Sequence, residues 1–249
     1  DTPTAVVERL GAIDLVDPRG AVDFRAVEFA YGDGAPVLES FDLSLAPGET
    51  VALVGRTGTG KSTIARLLPR FYDVTDGAVF VDGHDVRDLT IVSLRDAIGL
   101  VLDEPFLFSA TVRENIAYGR PDASDDQIRA AARAAGAEAF IAALPEGFDA
   151  ELGERGYTLS GGQRQRIAIA RTLLVDPAIL ILDDATSAID VQVEEEIHAA
   201  LRVLMEGRTT LVIAHRTSTI ALAERVVLLE GGRIVADGTH AALMATDPR

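Results

Sequence analysis

The sequence predicts an α/β fold built around a mainly parallel sheet. In the second half of the chain, apolar strand-like runs at 178–182 and 209–214 enclose an amphipathic helical stretch at 193–205. Earlier, a short buried strand at 50–54 leads into a glycine-rich loop and then into a helix at 61–68. Strands that alternate with helices in this way favour a parallel sheet covered by helices.

The segments around these units follow other patterns. Residues 1–20 have weak periodicity and are interrupted by proline and glycine, which is typical of a linker. Residues 21–29 alternate apolar and polar side chains and predict a strand. From about 94 to 174 the pattern is helical, and a helix at 124–136 begins with acidic residues, which the helix dipole favours. Further strands are predicted at 37–45, 78–81 and 226–229, and a last helix at 240–245.

Length, composition and charge exclude several classes of protein. The 249 residues allow one sizeable domain, or a core with one inserted lobe. The absence of cysteine excludes disulfides and thiolate zinc sites. A net charge of −16 argues against nucleic acid as a main partner, because phosphate backbones attract clustered Lys and Arg. The longest apolar runs are too short to span a bilayer, and we expect the domain itself to be soluble and cytoplasmic.

Lysine usage singles out one position. Of the 23 basic residues, 22 are arginine, and the single lysine is Lys61, within the glycine-rich stretch. Codon bias with one chance survivor is the simpler explanation. The alternative is that this position needs a compact ammonium, which a planar guanidinium cannot replace.

The glycine-rich loop at 55–62 fits the phosphate-binding pattern G-x-x-x-x-G-K-[ST]. Glycines let the backbone curl so that successive N–H groups point at phosphate oxygens. The pattern predicts that Lys61 reaches the β- and γ-phosphates of a nucleotide and that the Ser62 hydroxyl binds Mg²⁺. An ordinary glycine-rich turn is the alternative, which the flanking strand and helix disfavour. The predicted nucleotide-binding residues are Gly55, Arg56, Thr57, Gly58, Thr59, Gly60, Lys61, Ser62 and Thr63.

An acidic residue at a strand end supplies the second part of such a site. Asp183 follows the apolar run 179–182 and so emerges at the carboxyl end of a strand, where ligands of open α/β sheets bind. This position predicts that Asp183 holds Mg²⁺ through water. By itself an acid after a strand is usually only solvated, but the glycine-rich loop favours the magnesium role.

A third motif, Leu159-Ser160-Gly161-Gly162-Gln163, precedes a predicted helix at 164–174. It resembles the signature motif of ABC ATPases. A hydroxyl and backbone N–H groups at a helix start also make an anion site, and Ser160, Gly161, Gly162 and Gln163 are predicted to bind nucleotide. The local alternative is a capped helix start. The order of glycine-rich loop, signature, Asp183 and His215 along the chain favours the family.

The resemblance to ABC ATPases covers nearly all of the chain from residue 21 onward. It implies a RecA-like core, an N-terminal antiparallel β subdomain and an inserted α-helical subdomain at about 94–174. Residues 1–20 would be a linker from a missing transmembrane domain, and residues 21–249 the ATPase domain. ATP and Mg²⁺ are the implied cofactors.

Further residues match family positions. Tyr31 corresponds to the aromatic residue that stacks on adenine, and His215 to the switch histidine near the γ-phosphate. The segment Glu154-Arg155-Gly156 resembles the one with which exporters contact their membrane domains. The runs at 106–108, 113–116 and 184–190 also resemble exporters more than importers.

Two departures fall on hydrolysis positions. The family has glutamate directly after the strand-end aspartate, whereas this chain has Asp184. It has glutamine in the loop that touches Mg²⁺ and the attacking water, whereas this chain has Asp103, which the resemblance makes a third predicted magnesium ligand. Harmless drift is one interpretation. The other is impaired hydrolysis, because a shorter carboxylate at 184 lies farther from the water and a misplacement of about 1 Å can cost roughly a hundredfold in rate.

The resemblance therefore implies an ATPase domain of an ABC exporter that works in a head-to-tail dimer. Its own site is predicted to have low activity, with Asp184, His215 and Asp103 as the catalytic group. The partners would be a second ATPase domain, from a different half-transporter chain, and a transmembrane domain of the same polypeptide, at the cytoplasmic face of the membrane. The alternatives are an ATP-dependent dimerisation clamp without turnover and an importer subunit. A chromosome-maintenance ATPase would need a long coiled-coil insertion, which the sequence lacks.

Overall fold

The computed structural model describes residues 6–153, 156, 158–183, 191–214 and 216–246. These residues form two compact units, one of residues 6–98, 178–183 and 207–246, the other of residues 99–177 and 191–206. The strands are β1 (Val22–Ala30), β2 (Pro36–Leu45), β3 (Thr50–Val54), β4 (Asp76–Val81), β5 (His84–Asp85), β6 (Ile98–Leu102), β7 (Ile179–Asp183), β8 (Thr209–Ile213), β9 (Arg225–Glu230) and β10 (Arg233–Gly238). The α-helices are α1 (Lys61–Leu67), α2 (Ile91–Asp96), α3 (Val112–Ala117), α4 (Asp125–Ala134), α5 (Glu138–Ala142), α6 (Gly161–Val175), α7 (Val191–Met205), α8 (Thr217–Ile220) and α9 (His240–Thr246).

The first unit contains an antiparallel sheet of four strands in the order β2-β1-β4-β5. The alternation in β1 buries Val22 and Phe24, then shifts phase at a bulge, so that Val27 and Phe29 are buried as well. The bulge is centred on Ala26, whose φ is 45°. One extra residue reverses which side chains face inward, and this is how four bulky residues at uneven spacing share one face.

The same unit contains a second sheet in which strands run in the order β10-β9-β3-β8-β7. β3 lies between β8 and β9 and is parallel to both, and β7 is parallel to β8. The five residues of β3 are apolar or β-branched and almost entirely buried, as expected for a strand covered on both faces. Helix α1 contacts β7 and β8 and buries Ile64, Ala65 and Leu67.

Three strands, β5, β6 and β10, are not predicted from the sequence, and β5 has only two residues. The prediction of helix throughout 94–174 is wrong for β6, because an apolar run of five residues has no periodicity that separates strand from helix. β10 was not predicted and pairs antiparallel with β9 across Gly231 and Gly232, whose φ angles are 54° and 75°. A Gly-Gly pair suits such a tight hairpin, because both residues adopt positive φ.

Residues 6–20, the predicted linker, are hydrogen-bonded to the rest of the first unit. The Ile91 N–H donates to the Glu8 carboxylate (2.9 Å), and the Thr90 hydroxyl donates to the Asp14 carboxylate (2.6 Å). These bonds join the segment to the start of α2.

Arg70 is the most deeply buried charged residue in the described part of the first unit, with 1% of its surface exposed. Its guanidinium pairs with Asp73 (2.7 Å) and donates to the Val7 carbonyl (3.0 Å). A buried guanidinium is stabilised only while its donors have acceptors, so this side chain ties residue 7 to the end of α1.

Replacing Arg70 with methionine is expected to lower the free energy of unfolding by about 3 kcal/mol, because several charge-assisted hydrogen bonds are lost. Urea unfolding monitored by circular dichroism measures this change. Arg9→Ala is the matched control: its ion pair with Asp88 is half exposed and should contribute less than about 1 kcal/mol. Equal losses in the two variants would contradict the assigned role of Arg70.

The second unit is built around α6, which packs against α3, α4 and α7. Three of its helices, α3, α4 and α6, begin with a capping box, in which the N-cap side chain and the third helical residue bond to each other's backbone N–H. No helix in the described part of the chain has both the length and the apolar character needed to cross a membrane.

Candidate functional site

The glycine-rich loop connects the end of β3 to α1 and is shaped by close packing. Gly55, Gly58 and Gly60 have φ angles of 147°, 85° and 104°, which favour glycine. A Cβ on Gly55 would lie 2.3 Å from the Leu229 carbonyl oxygen, and one on Gly60 would lie 2.8 Å from a methyl carbon of Leu38. The loop therefore has no room for side chains at its two ends, which fixes its path between β9 and β2.

Lys61 begins α1, and only 4% of its surface is exposed. Its Nζ donates to the carbonyl oxygens of Gly55 (2.7 Å) and Arg56 (3.0 Å). The ammonium is thus folded back over the loop. It is a compact point charge inside a curl of backbone. Ser62, the next residue, is exposed, and Thr63 is buried.

Tyr31 follows β1 and is attached to the same helix. Its hydroxyl is hydrogen-bonded to the Thr63 hydroxyl (3.1 Å). Its ring lies perpendicular to those of Phe29 and Tyr72, with centroids 4.8 and 5.2 Å away, and 37% of the residue is exposed. The ring is therefore held in one orientation and remains accessible to a planar base. Sequence reasoning missed Tyr72, because its contact with Tyr31 joins distant segments.

Asp183 ends β7 at the same edge of the sheet as the loop. Leu53 of β3 and Asp183 are both paired with Ile213 of β8, between them. Because neighbouring strands lie about 4.8 Å apart, Asp183 is level with the end of β3 at roughly 10 Å across the sheet. The structure thus brings together Tyr31, the loop at 55–63 and Asp183.

The donor set fits Mg²⁺ bound together with phosphates. Within the residues that the structure describes, no cluster of three or more His, Cys, Asp or Glu side chains could hold a metal ion. Mg²⁺ in phosphate sites usually takes one or two protein oxygens, with phosphate oxygens and water completing the shell. One exposed hydroxyl, Ser62, and one strand-end carboxylate, Asp183, match this requirement without a preformed cage.

The signature residues lie in the second unit, at the start of α6. The Ser160 hydroxyl accepts from the Gln163 N–H (3.3 Å), and the Gln163 carboxamide accepts from the Ser160 N–H (2.9 Å). The capped helix start that the sequence allowed is therefore present. It orients the Ser160 hydroxyl at the N-terminus of a 15-residue helix whose first turn, at 161–163, contains no acidic residue. A helix start of this kind favours an anion.

Asp103 follows β6 in the second unit and is partly exposed. The residue before it is tied to α6, because the Gln165 side chain donates to the Leu102 carbonyl (3.2 Å). Gln165 is almost fully buried, with 1% exposed. The loop of Asp103 and the signature helix are thus mechanically joined, a link that sequence reasoning missed since the two residues lie far apart in the chain.

Two predicted catalytic residues, Asp184 and His215, lie outside the described residues. So do Glu154 and Arg155 of the predicted membrane-domain contact. Gly156, the third residue of that segment, is described and packs against the Leu107 side chain.

A family model for the ABC transporter matches residues 38–187, well over half of the chain. The chain belongs to the ABC transporter family. The ATP-dependent lipid A-core flippase of Syntrophus aciditrophicus (strain SB) is 52% identical over 240 residues, which are 96% of this ABC chain and 40% of the flippase. A Staphylococcus aureus (strain NCTC 8325 / PS 47) protein, named for multidrug export as an ATP-binding/permease protein, is 52% identical over 237 residues, 95% of this chain and 41% of that protein.

A solved structure agrees with these relatives. A bacterial Atm1-family ABC exporter with ATP bound has a TM-score of 0.93 at 45% identity, covering 99% of this chain and 43% of the exporter. The predicted resemblance to ABC exporters and the predicted α/β fold class are confirmed. This ABC chain spans about two fifths of the length of these curated relatives.

Proposed function

We propose that this chain is the nucleotide-binding domain of an ABC exporter, which binds and hydrolyses Mg-ATP in a head-to-tail dimer to drive export across a membrane. The observation that carries this proposal is the buried Lys61 ammonium, folded over a glycine-rich loop at the sheet edge that also bears Asp183. A polyphosphate is the ligand for which this arrangement is suited, because it offers negative charge to the ammonium and acceptors to the loop N–H groups.

Each residue of the first unit has a role in this proposal. Lys61 exchanges its two carbonyl acceptors for the β- and γ-phosphates, and Tyr31 stacks on adenine. Ser62 and Asp183 would hold Mg²⁺, which would supply positive charge to neutralise the phosphates. All four side chains come from elements whose packing is already fixed, so binding requires little ordering of the protein.

The proposal assigns hydrolysis to Asp184, His215 and Asp103, and it assigns a low rate to this chain's own site. Both aspartates stand where the family has a longer or uncharged side chain. These two departures also favour a second candidate, an ATP-dependent clamp that dimerises without turnover. Measurement of phosphate release separates the two functions, since the clamp binds ATP without releasing phosphate.

The dimer partner completes each site through its signature. The start of α6 at Ser160 is intact, whereas positions 103 and 184 are altered, and this asymmetry supports a partner domain from a different half-transporter chain. The names of the relatives, which combine ATP-binding and permease functions, support a transmembrane domain in the same polypeptide, with this domain at the cytoplasmic face.

An exposed aromatic cluster in the second unit suits contact with that membrane domain. Phe108 stacks on Tyr118 with centroids 4.2 Å apart, and Phe106 and Tyr118 are more than half exposed. The Arg171 guanidinium lies 5.8 and 5.7 Å from the centres of the Phe108 and Tyr118 rings, and burial lowers the pKa of Arg171. Clustered exposed aromatic rings beside a rigid arginine favour a protein contact. Gly156 packs on Leu107, between two of these rings in sequence.

Complementation between two inactive variants tests the head-to-tail dimer. Lys61→Ala removes the phosphate cation, and Ser160→Arg places a bulky side chain at the signature. Each variant alone is expected to remain monomeric with Mg-ATP. Their mixture is expected to recover nucleotide-dependent dimer, because one of its two sites combines an intact Lys61 with an intact Ser160. Analytical ultracentrifugation measures the dimer fraction.

The unmodified chain supplies the reference for this experiment. Two copies of this chain stand in for the mixed dimer: the chain is expected to be mainly monomeric without nucleotide and, at high protein concentration, to dimerise only with ATP. A tight dimer without nucleotide, or a dimer of either single variant at the level of the mixture, would contradict the head-to-tail arrangement.

A further inference from the structure

A pocket of about 580 Å³ lies in the first unit, beside the start of the glycine-rich loop. Its walls come from the ends of β3 and β9, from β10, and from the short helices α8 and α9. The volume lies within the range of about 300–1,000 Å³ that is typical of small-molecule sites. Of the residues proposed to bind nucleotide, only Gly55 and Arg56 line it, so it is separate from the places of Tyr31, Ser62 and Asp183.

The chemistry of the lining favours an uncharged apolar molecule. Most lining side chains are aliphatic, including Ile220, Leu228 and Leu243, all three of which are only half buried. The ionised groups of the lining, Arg56 and Glu230, have opposite charge and so offer a charged ligand little net attraction. The fold leaves this apolar surface partly exposed, and covering it with a ligand is favourable because it removes apolar area from water.

The mouth of the pocket can adapt to its occupant. Met244 of α9 lines it and is 72% exposed, and an unbranched thioether side chain fits apolar groups of different shape. Leu243 is the residue of α9 that packs on β10, since its side chain lies 3.6 Å from where a Cβ of Gly238 would be.

The pocket shares its backbone with the nucleotide loop. The two carbonyls that hold the Lys61 ammonium belong to Gly55 and Arg56, both of which line the pocket. Gly55 also lies directly against the Leu229 carbonyl, so there is no free space between the loop and the end of β9 that lines the pocket. A molecule that packs on these residues therefore stabilises the arrangement in which Lys61 bonds to their carbonyls rather than to phosphate.

We infer that this pocket binds an uncharged apolar small molecule and that its occupancy weakens ATP binding by holding Gly55 and Arg56 in the arrangement that retains Lys61. The pocket itself is independent of the proposed function, whereas the coupling rests on ATP binding at Lys61. Because linkage is reciprocal, ATP lowers the affinity for the pocket ligand by the same factor.

Nile red, an uncharged aromatic dye, is the probe. Its fluorescence, titrated on the 249-residue chain without nucleotide, is expected to show saturable binding. Saturating dye is expected to raise the Kd of a fluorescent ATP analogue about fivefold or more, and the analogue to raise the Kd of the dye equally.

Two variants and a matched control locate the dye. Ala236→Trp fills the pocket and should weaken dye binding by at least about tenfold. Met244→Gln, at the exposed mouth, should weaken dye binding about threefold without destabilising the fold, because Met244 is 72% exposed. Val235→Trp is the control, because Val235 is 39% exposed and does not line the pocket, and it should retain dye affinity within about twofold.

The outcomes distinguish the pocket from the proposed function. Equal dye affinity in Ala236→Trp and Val235→Trp would overturn the pocket, whatever the ATP analogue does. Dye binding at the pocket without a change in analogue affinity would overturn the coupling. Failure of the unmodified chain to bind the analogue, with dye binding intact, would overturn the proposed function and the coupling together.

Discussion

Replacement of Lys61 by alanine is expected to lower ATP affinity by about a hundredfold or more. The proposed ammonium contacts to two phosphates are charge-assisted hydrogen bonds, and each such bond contributes about 1.5–3 kcal/mol. Every 1.4 kcal/mol corresponds to about tenfold in affinity. Lys61→Arg should also weaken binding by about tenfold or more, although it keeps the charge, because a planar guanidinium does not fit where 4% of the lysine is exposed.

Titration with a fluorescent ATP analogue measures both losses, and circular dichroism confirms that each variant is folded. Arg66→Ala is the matched control, since Arg66 is an exposed cation on the same helix. Its affinity should stay within about twofold of the unmodified chain. Unchanged affinity in Lys61→Ala would remove the basis of the nucleotide site.

The double change Asp184→Glu with Asp103→Gln is expected to raise ATP hydrolysis by roughly a hundredfold. Glutamate restores about 1 Å of reach toward the attacking water, and misplacement on that scale can cost about a hundredfold in rate. Glutamine removes a charge from the loop that Gln165 holds through Leu102. ATP affinity should change little, because these positions act on the transition state rather than on the bound substrate.

The measurement is phosphate release at protein concentrations that give the nucleotide-dependent dimer of this chain. Each site of that dimer combines the loop of one copy with the signature of the other. The double variant should be faster than either single variant. Its gain in rate over the starting chain should exceed the product of the two single gains, as expected for groups that act together. Asp176→Glu, at the αL residue after α6, is the control for an added methylene and should leave the rate unchanged. A double variant no faster than the starting chain would show that these two positions do not limit hydrolysis.

The parts of the site that the sequence predicts are those encoded by adjacent residues. The loop at 55–62 carries its own glycines and its own lysine, and it is bounded by a strand and a helix that have distinct patterns. The capping box of Ser160 and Gln163 is equally local, so its geometry follows from a four-residue motif. Local chemistry of this kind leaves few alternatives for the backbone.

The parts that the sequence does not predict depend on contacts between distant segments. The bonds from Gln165 to Leu102 and from Arg70 to Val7 join residues more than 60 positions apart. A polar residue in the sequence does not show which distant residue will be its partner. β6 was missed for a related reason, since its identity as a strand is set by pairing rather than by periodicity.

The hydrogen bond between Tyr31 and Thr63 fixes the position of the Tyr31 ring relative to α1. Thr63 lies two residues after Lys61 on the same helix, so the ring keeps a fixed separation from the backbone of Lys61. On the proposed assignment, the ring marks the position of the base and the ammonium marks the far end of the phosphate chain. A nucleoside monophosphate then reaches the ring or the ammonium but not both. The domain therefore discriminates nucleotides by the length of their phosphate chain before any other chain takes part.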